Sequence, residues 1–76
     1  MDKMIRTVKD LGIIIRNRRK EMKLSQVELA GLCGVGNRFI VDLEAGKPTI
    51  QFDKALYVAK NVGLEIQATQ KGRDDK

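Results

Sequence analysis

The sequence predicts an all-α domain, a small bundle of four to five helices that ends in a single β-strand. Between residues 11 and 61, apolar residues recur at helical spacing in four stretches, and glycine or proline separates these stretches. From Leu64 the spacing changes to two, which is typical of a strand with one apolar face. The 76 residues, 42% hydrophobic and 33% charged, suffice for one small folded domain.

The first two helices are predicted from their capping residues. Asp10 is the candidate N-cap of a helix over residues 11–22. Ser25 is the candidate N-cap of the second helix, with Glu28 completing a capping box, and Gly34 ends that helix. The apolar positions are Leu11, Ile14, Ile15 and Met22 in the first helix and Val27, Leu29, Ala30 and Leu32 in the second.

Two further helices are predicted between glycine boundaries. The third opens at Gly36 and stops at Gly46, while the fourth starts at Thr49 or Gln51 and extends to Asn61. The residues expected to face inward are Ile40 and Leu43 in the third helix and Phe52, Ala55, Leu56 and Ala59 in the fourth.

The C-terminal strand predicts a dimer. A single strand is not stable alone, so residues 64–70 are expected to pair with the same strand of a second copy across a twofold axis. Residues 4–8 of the same chain, which have weak strand character, are the alternative partner. The predicted dimer interface is Leu64, Glu65, Ile66, Gln67 and Ala68. The chain then divides into an arm over 1–10, a helical domain over 11–63, the strand over 64–70 and a flexible tail over 71–76.

Composition excludes several functions. The chain has no histidine, which removes the usual general base and the commonest metal ligand. Cys33, the single cysteine, can form neither an internal disulfide nor a thiolate zinc site and indicates a reducing compartment. No apolar run approaches the ~20 residues of a membrane span. We therefore expect a cytoplasmic protein that is not an enzyme and needs neither cofactor nor metal.

The net charge of +5 is concentrated in one place. Five cations within eight residues are opposed only by Glu21, which leaves +4 of the total there. Such a cluster is either a solvated helix face or a surface for nucleic acid. Its members are Arg16, Arg18, Arg19, Lys20 and Lys23.

Two short helices joined by a glycine-containing turn, after a basic first helix, predict a helix-turn-helix motif. The motif residues are Leu24-Ser25-Gln26-x-x-Leu29-Ala30, then Gly34-Val35, then Ile40-x-x-Leu43-Glu44-x-Gly46-Lys47. On these residues the chain resembles the Cro/phage-repressor (XRE) type of helix-turn-helix domain over residues 11–63. The resemblance implies a lambda-repressor-like bundle that binds DNA, and Cys33 falls where that family has a small apolar core residue.

A narrower resemblance rests on three segments. They are Arg18-Arg19-Lys20, Asn37-Arg38-Phe39-Ile40 with the following Gly46-Lys47-Pro48-Thr49-Ile50, and Gly63-Leu64-Glu65-Ile66. Together they resemble HipB-type antitoxins. The resemblance implies a homodimer that represses its own operon from operator DNA and binds a HipA-type serine/threonine kinase toxin. The alternatives are a stand-alone, phage-like repressor without a toxin, or a protein-interaction module that has lost DNA binding.

The resemblance assigns the third helix to the major groove. Asparagine pairs with adenine and arginine with guanine, while Asp42 would accept from cytosine or orient Arg38. The candidate base contacts are Asn37, Arg38, Val41 and Asp42. The candidate phosphate contacts are Gln26, Gly36, Lys47, Thr49 and Arg16. Gly36 stands where a serine or threonine hydroxyl is common in that family. Arg16, like Lys20, is expected to contribute long-range electrostatic attraction more than direct contact. Arg19 and Glu44 match a pair that forms a structural salt bridge in that family. Thr49 could instead cap the fourth helix. Phe39 and Tyr57 are assigned to the core or the dimer interface.

Overall fold

Four α-helices make up the described part of the chain, which is residues 4–68 and 70 of a computed structural model. They are α1 (Val8–Glu21), α2 (Gln26–Cys33), α3 (Asn37–Glu44) and α4 (Phe52–Asn61). The all-α class and the helix count are therefore confirmed. No strand is present within these residues, so the predicted strand and its pairing are not shown. Residues 1–3 of the predicted arm, Thr69 and the predicted tail over 71–76 lie outside the described residues.

Side-chain caps determine where α1 and α2 begin. The hydroxyl of Thr7 accepts a hydrogen bond from the Asp10 N–H at 3.2 Å, and the Asp10 carboxylate accepts one from the Thr7 N–H at 3.2 Å. The prediction that Asp10 is the N-cap is wrong, because Asp10 is the third helical residue of this capping box. The predicted capping box of Ser25 and Glu28 at the start of α2 is confirmed.

The turn between α2 and α3 depends on Gly34. Its φ of 68° lies in the left-handed region, where a side chain is disfavoured. The Gly34 N–H donates to the last carbonyls of α2, and the Val35 N–H donates to the Ala30 carbonyl at 3.0 Å. This hydrogen bonding ends α2 and directs the chain into α3, as the sequence predicted.

A small core joins all four helices. Leu29, Cys33, Ile40 and Leu43 are buried as predicted, and Val35 is half-buried at the core's edge. The remaining buried apolar residues are Leu11, Ile15, Ala30, Ala55, Val58, Ala59 and Val62. Burial raises the pKa of the Cys33 thiol, which keeps this residue a protonated member of the core.

Several large apolar side chains expected in the core are exposed. Val27 and Leu32 of α2 are 65% and 54% exposed, and Phe52 of α4 is 57% exposed. In α4 the predicted burial of Ala55 and Ala59 is confirmed, whereas the predicted burial of Phe52 and Leu56 is wrong. Positions 55, 58, 59 and 62 follow the i, i+3, i+4, i+7 pattern and are buried, which turns Phe52 and Leu56 outward. Tyr57 is also exposed, so its assignment to the core is wrong.

The segment after α4 folds back onto the core. Leu64 and Ile66 are half-buried against it, while Glu65 and Gln67 between them are exposed. The alternation that predicted a strand is therefore present in the burial of these side chains. Among the described residues, no backbone hydrogen bond joins residues 4–8 to residues 64–68, which contradicts the alternative of pairing within one chain.

The crossing of α1 over the end of α3 leaves no space between the two backbones. A Cβ at Gly12 would overlap the carbonyl oxygen of Leu43. Just beyond α3, a Cβ at Gly46 would lie 2.6 Å from the Cα of Lys9, and the φ of Gly46 is 78°. The orientation of α3 is thus fixed by direct backbone contact with α1.

Candidate nucleic-acid interface

The N-terminus of α3 is open to an anionic partner. Gly36 is its N-cap and provides no side-chain hydrogen bond, and the first turn contains no acidic residue. The first N–H groups of a helix have no partner within it, and the helix dipole places partial positive charge there. Gly36, Asn37 and Arg38 are exposed at this end, so the positive end of α3 can approach a phosphate or a base edge.

The four candidate base-contacting residues share one side of α3. Positions 37 and 41, and positions 38 and 42, are each one helical turn apart. Asn37 and Arg38 are exposed, whereas Val41 and Asp42 are half-buried behind them. The structure therefore brings together the residues that the sequence assigned to base contact.

Asp42 lies between two cations. Its Oδ1 is 3.2 Å from Nε of Arg38, one turn earlier on α3. Its Oδ2 is 3.6 Å from Nζ of Lys47, in the loop after α3. Lys47, a candidate phosphate contact, is thereby held beside the exposed side of α3.

The loop after α3 also contains Thr49, which is exposed. The N–H of Ile50 donates to the Lys47 carbonyl at 3.1 Å, which makes a tight turn. The N-cap of α4 is Gln51, so the alternative role of Thr49 as the cap of α4 is wrong. Lys47 and Thr49 are both accessible from the solvent on this turn.

A buried ion pair connects α1 to the end of α3. Nε and Nη2 of Arg19 donate to the two carboxylate oxygens of Glu44 at 2.7 and 2.9 Å, and Nη1 donates to the Leu24 carbonyl at 2.8 Å. The side chains of Arg19 and Glu44 are only 9% and 3% exposed. The hydrogen bond to Glu44 raises the pKa of Arg19. The ion pair expected from the resemblance is present, and it removes Arg19 from the charge available at the surface.

Gln26, a candidate phosphate contact, belongs to the same network. Its Nε2 donates to Oε1 of Glu44 at 3.1 Å. Gln26 is the first residue of α2 and is half-buried. The amide side chain is thus oriented by α3 while it stands at the N-terminus of α2, where backbone N–H groups favour an anion.

The basic cluster of α1 has two parts. Nε of Arg18 donates to the Val62 carbonyl at the end of α4 at 2.7 Å, and its Nη1 is 3.1 Å from Glu21. Arg18 and Arg19 therefore connect helices. Arg16, Lys20 and Lys23 remain exposed, which makes Arg16 accessible as predicted. The role of Arg18 was missed, and no sequence pattern indicates a contact across 44 positions.

The described part of the chain contains neither a cluster of metal ligands nor a helix that could span a membrane. Among residues 4–68 and 70, no group of three acidic or cysteine side chains is placed to hold a metal ion. Within the same residues, each helix is too short or too polar to cross a membrane.

Comparison with known proteins identifies relatives of this chain. A family model described as helix-turn-helix matches residues 15–67. An uncharacterized HTH-type transcriptional regulator, y4mF, from Sinorhizobium fredii is 51% identical over 76 residues and covers all of both chains. The ImmF control region 10 kDa protein of Bacillus phage phi105 is 30% identical over 76 residues, covering 90% of this chain and 84% of the phage protein.

Solved structures share the fold at low sequence identity. A HipB–O2 20mer complex aligns with a TM-score of 0.82 and 15% identity, covering 95% of this chain and all of the other. A HipA–HipB–O2–O3 complex aligns with a TM-score of 0.81 and 15% identity, covering 93% of this chain and all of the other. At this identity the likeness concerns the fold.

Proposed function

This chain belongs to the helix-turn-helix family of DNA-binding transcriptional regulators, and we propose that it is the repressor and antitoxin of a HipA-type toxin–antitoxin pair. The observation that supports DNA recognition best is the uncapped, exposed N-terminus of α3 with Asn37 and Arg38 on it. In this proposal a homodimer occupies an operator upstream of its own operon and blocks the polymerase. It also holds a serine/threonine kinase in an inactive arrangement and performs no chemistry itself.

The side of α3 that carries positions 37, 38, 41 and 42 enters the major groove. Asn37 contacts adenine and Arg38 contacts guanine, because their side chains match the donor and acceptor pattern of those bases. Val41 supplies an apolar contact. Asp42 faces the same groove and is held between Arg38 and Lys47.

Phosphate contacts surround the base-contacting residues. Lys47 and Thr49 are exposed on the loop after α3, and Gly36 offers the N-terminus of α3 itself. Gln26 stands at the N-terminus of α2, where Glu44 orients its amide. Arg16 adds an exposed cation on α1. These contacts fix the position of the domain on the duplex, whereas the base contacts determine sequence preference.

Residues 64–68 form the dimer interface in this proposal. Leu64 and Ile66 pack against the core of their own subunit, which exposes Glu65 and Gln67. The Leu64 N–H donates to the Ala59 carbonyl at 3.0 Å, whereas residues 65–68 make no backbone–backbone hydrogen bond to other described residues and are open for pairing with the same segment of a second copy. Two helix-turn-helix units about 34 Å apart contact a palindrome, and a dimer carries twice the formal charge of +5.

The toxin partner is supported by likeness of fold to HipB. The HipB structures align with nearly the whole chain, including a complex described as containing HipA. Four large apolar or aromatic side chains are more than half exposed on α2 and α4, and a bound protein would remove such side chains from water: Val27, Leu32, Phe52 and Tyr57. An open reading frame for a HipA-type kinase beside the gene would identify the kinase to test for binding.

A stand-alone, phage-like repressor is the second candidate. The 30% identity to a control-region protein of a Bacillus phage favours it. The two candidates make the same prediction for DNA and differ only in the kinase, so one binding assay cannot separate them.

DNA binding is tested with the duplex directly upstream of the gene. In a mobility-shift titration at several salt concentrations, we expect palindrome-dependent binding with a log–log salt slope of about −4 to −5, from about four to six phosphates per dimer that lysine or arginine neutralises. Lys47→Ala should weaken binding to all duplexes alike. Lys60→Ala, which removes the same charge from the last turn of α4, is the matched control. Absence of binding at low salt would contradict the proposal and favour a protein-interaction module.

The antitoxin role is tested by co-expression with the kinase encoded beside the gene. We expect a stable complex in size-exclusion chromatography and loss of kinase autophosphorylation in that complex. DNA binding without any effect on the kinase would contradict the antitoxin role and leave the stand-alone repressor.

A further inference from the structure

We propose that Asp42 determines the sequence specificity of the DNA-binding surface by holding Arg38 and Lys47 on one carboxylate. This inference rests on the proposed function, since it concerns how the DNA-bound surface distinguishes sequences. It makes Asp42 a positioning residue that acts through two cations.

The two carboxylate oxygens of Asp42 face cations on two different segments, α3 and the loop after it. Oδ1 faces Nε of Arg38 at 3.2 Å and Oδ2 faces Nζ of Lys47 at 3.6 Å. The Asp42 side chain is 18% exposed, whereas those of Arg38 and Lys47 are 83% and 53% exposed. The Asp42 carbonyl also accepts the Lys47 N–H at 3.0 Å, which fixes the loop beside α3. The carboxylate is therefore the inner member of the group, and both cations extend outward from it.

The contact through Nε leaves the end of the Arg38 side chain available. None of the side-chain hydrogen bonds among the described residues uses its terminal nitrogens, Nη1 and Nη2, and the Arg38 side chain is 83% exposed. A guanine offers two acceptors, O6 and N7, to such a pair of donors. Because Asp42 restrains the guanidinium before binding, less conformational freedom is lost when the guanine contact forms. Both Asp42 oxygens already face cations, so the alternative in which Asp42 accepts from cytosine is disfavoured.

The same carboxylate reduces attraction to DNA of any sequence. Two cations and one carboxylate leave a net charge of +1 where there would be +2. Non-specific binding depends on the phosphates that cations neutralise, and it is insensitive to base identity. Asp42 thus lowers affinity for all duplexes alike, which leaves the ratio between specific and non-specific affinity unchanged. It also favours the duplex with guanine in register, and this second effect raises the ratio.

Asp42→Asn tests this inference in the full chain. Fluorescence anisotropy would compare the upstream duplex, its single-base-pair variants and an unrelated duplex of equal length at three NaCl concentrations. Asp53→Asn, which removes an exposed carboxylate from the first turn of α4, is the matched control. Arg38→Ala identifies the base pair that Arg38 contacts, and thermal melting by circular dichroism verifies folding.

For Asp42→Asn we expect tighter binding to the unrelated duplex, with a salt slope steeper by about 0.9 per subunit. The penalty for changing the base pair that Arg38 contacts should fall about two- to tenfold, and the penalties at other positions should not change. Asp42→Glu keeps the charge, so this variant should bind the unrelated duplex as weakly as wild type does. Asp53→Asn should behave as wild type.

Two results would overturn the inference in different ways. Unchanged base-pair penalties, or unchanged affinity for the unrelated duplex, in Asp42→Asn would refute the role of Asp42 while selective wild-type binding kept the proposed function intact. If wild-type protein bound neither duplex, the proposed function would fail, and this inference with it.

Discussion

Replacing Glu44 with alanine is expected to lower the free energy of unfolding by about 3–5 kcal/mol, because it leaves a buried guanidinium without its carboxylate. Arg19 would keep one hydrogen bond, to the Leu24 carbonyl, and would lose both bonds to Glu44. Its side chain is 9% exposed, so water cannot replace the lost partner fully. Gln26 would lose its hydrogen-bond acceptor as well.

This loss is large for a domain of 76 residues. At about 0.05–0.15 kcal/mol per residue, its whole stability is about 4–11 kcal/mol. A change of 1 kcal/mol shifts the Tm of so small a domain by about 4–8 °C, so Glu44→Ala should lower the Tm by more than about 12 °C. Urea and thermal unfolding followed by far-ultraviolet circular dichroism measure both quantities.

Two variants separate burial from charge. Glu21→Ala removes a carboxylate that pairs with Arg18 but is 66% exposed, so we expect a cost of about 0–1 kcal/mol. The double variant Arg19→Met/Glu44→Leu removes both buried charges and should recover much of the stability lost in Glu44→Ala. If Glu44→Ala unfolded as readily as Glu21→Ala, the reasoning from desolvation would be refuted.

Four further outcomes are expected. Gly31→Ala should stabilise the protein by about 0.5–1 kcal/mol, because apart from its chain neighbours and its own helix backbone nothing lies within 4 Å of the added Cβ. Gly12→Ala should destabilise the protein through overlap with α3. Urea unfolding measures both changes, and equal effects would contradict the backbone crossing. Burial raises the pKa of the Cys33 thiol in the folded chain, so the thiol of the unfolded chain loses its proton at a lower pH. The free energy of unfolding should therefore fall above about pH 8.5 in wild type, and fall less in Cys33→Ala. A flat profile between pH 8 and 10 would contradict this. Arg38→Ala should cost about 1–3 kcal/mol of discrimination at one base pair of each half-site, measured with single-base-pair variants, and an unchanged preference would exclude base contact. Deletion of residues 64–76 should convert the proposed dimer to a monomer in sedimentation velocity, and a truncated chain that still sediments as a dimer would refute pairing through that segment.

Local signals predicted much of the fold. The caps and turns at Ser25, Gly34 and Gly46 depend on side chains and φ angles within a few residues, so their positions could be inferred from the sequence. The start of α1 was misplaced because two residues of one capping box, Thr7 and Asp10, can both serve as an N-cap. Local chemistry thus locates a helix end to within a turn.

Tertiary packing was harder to infer. In α4 the inward positions of Ala55 and Ala59 were predicted, but the large residues Phe52 and Leu56 were wrongly placed on the same face. The contact of Arg18 with the end of α4 spans 44 positions and leaves no periodic signal.

The candidate site likewise combines local features that the sequence predicted with a tertiary contact that it did not predict. The spacing of Arg38 and Asp42 permits an ion pair on one helix, and the sequence interpretation included this option. The participation of Lys47 depends on the turn after α3, which brings the loop back to the helix. Residue types and spacing thus indicated the members of the site, and the fold determined how they share charge.

The backbone contact at Gly12 has a consequence for how such proteins diverge. The main-chain atoms of α1 lie directly against the end of α3, so this contact does not involve the side chains at positions 37, 38, 41 and 42. If these residues contact bases as proposed, substitutions at these positions would alter which DNA sequence is bound without tilting the helix. We expect duplicated copies of such a gene to acquire separate operators by a few outward-facing replacements, while Gly12 tolerates none.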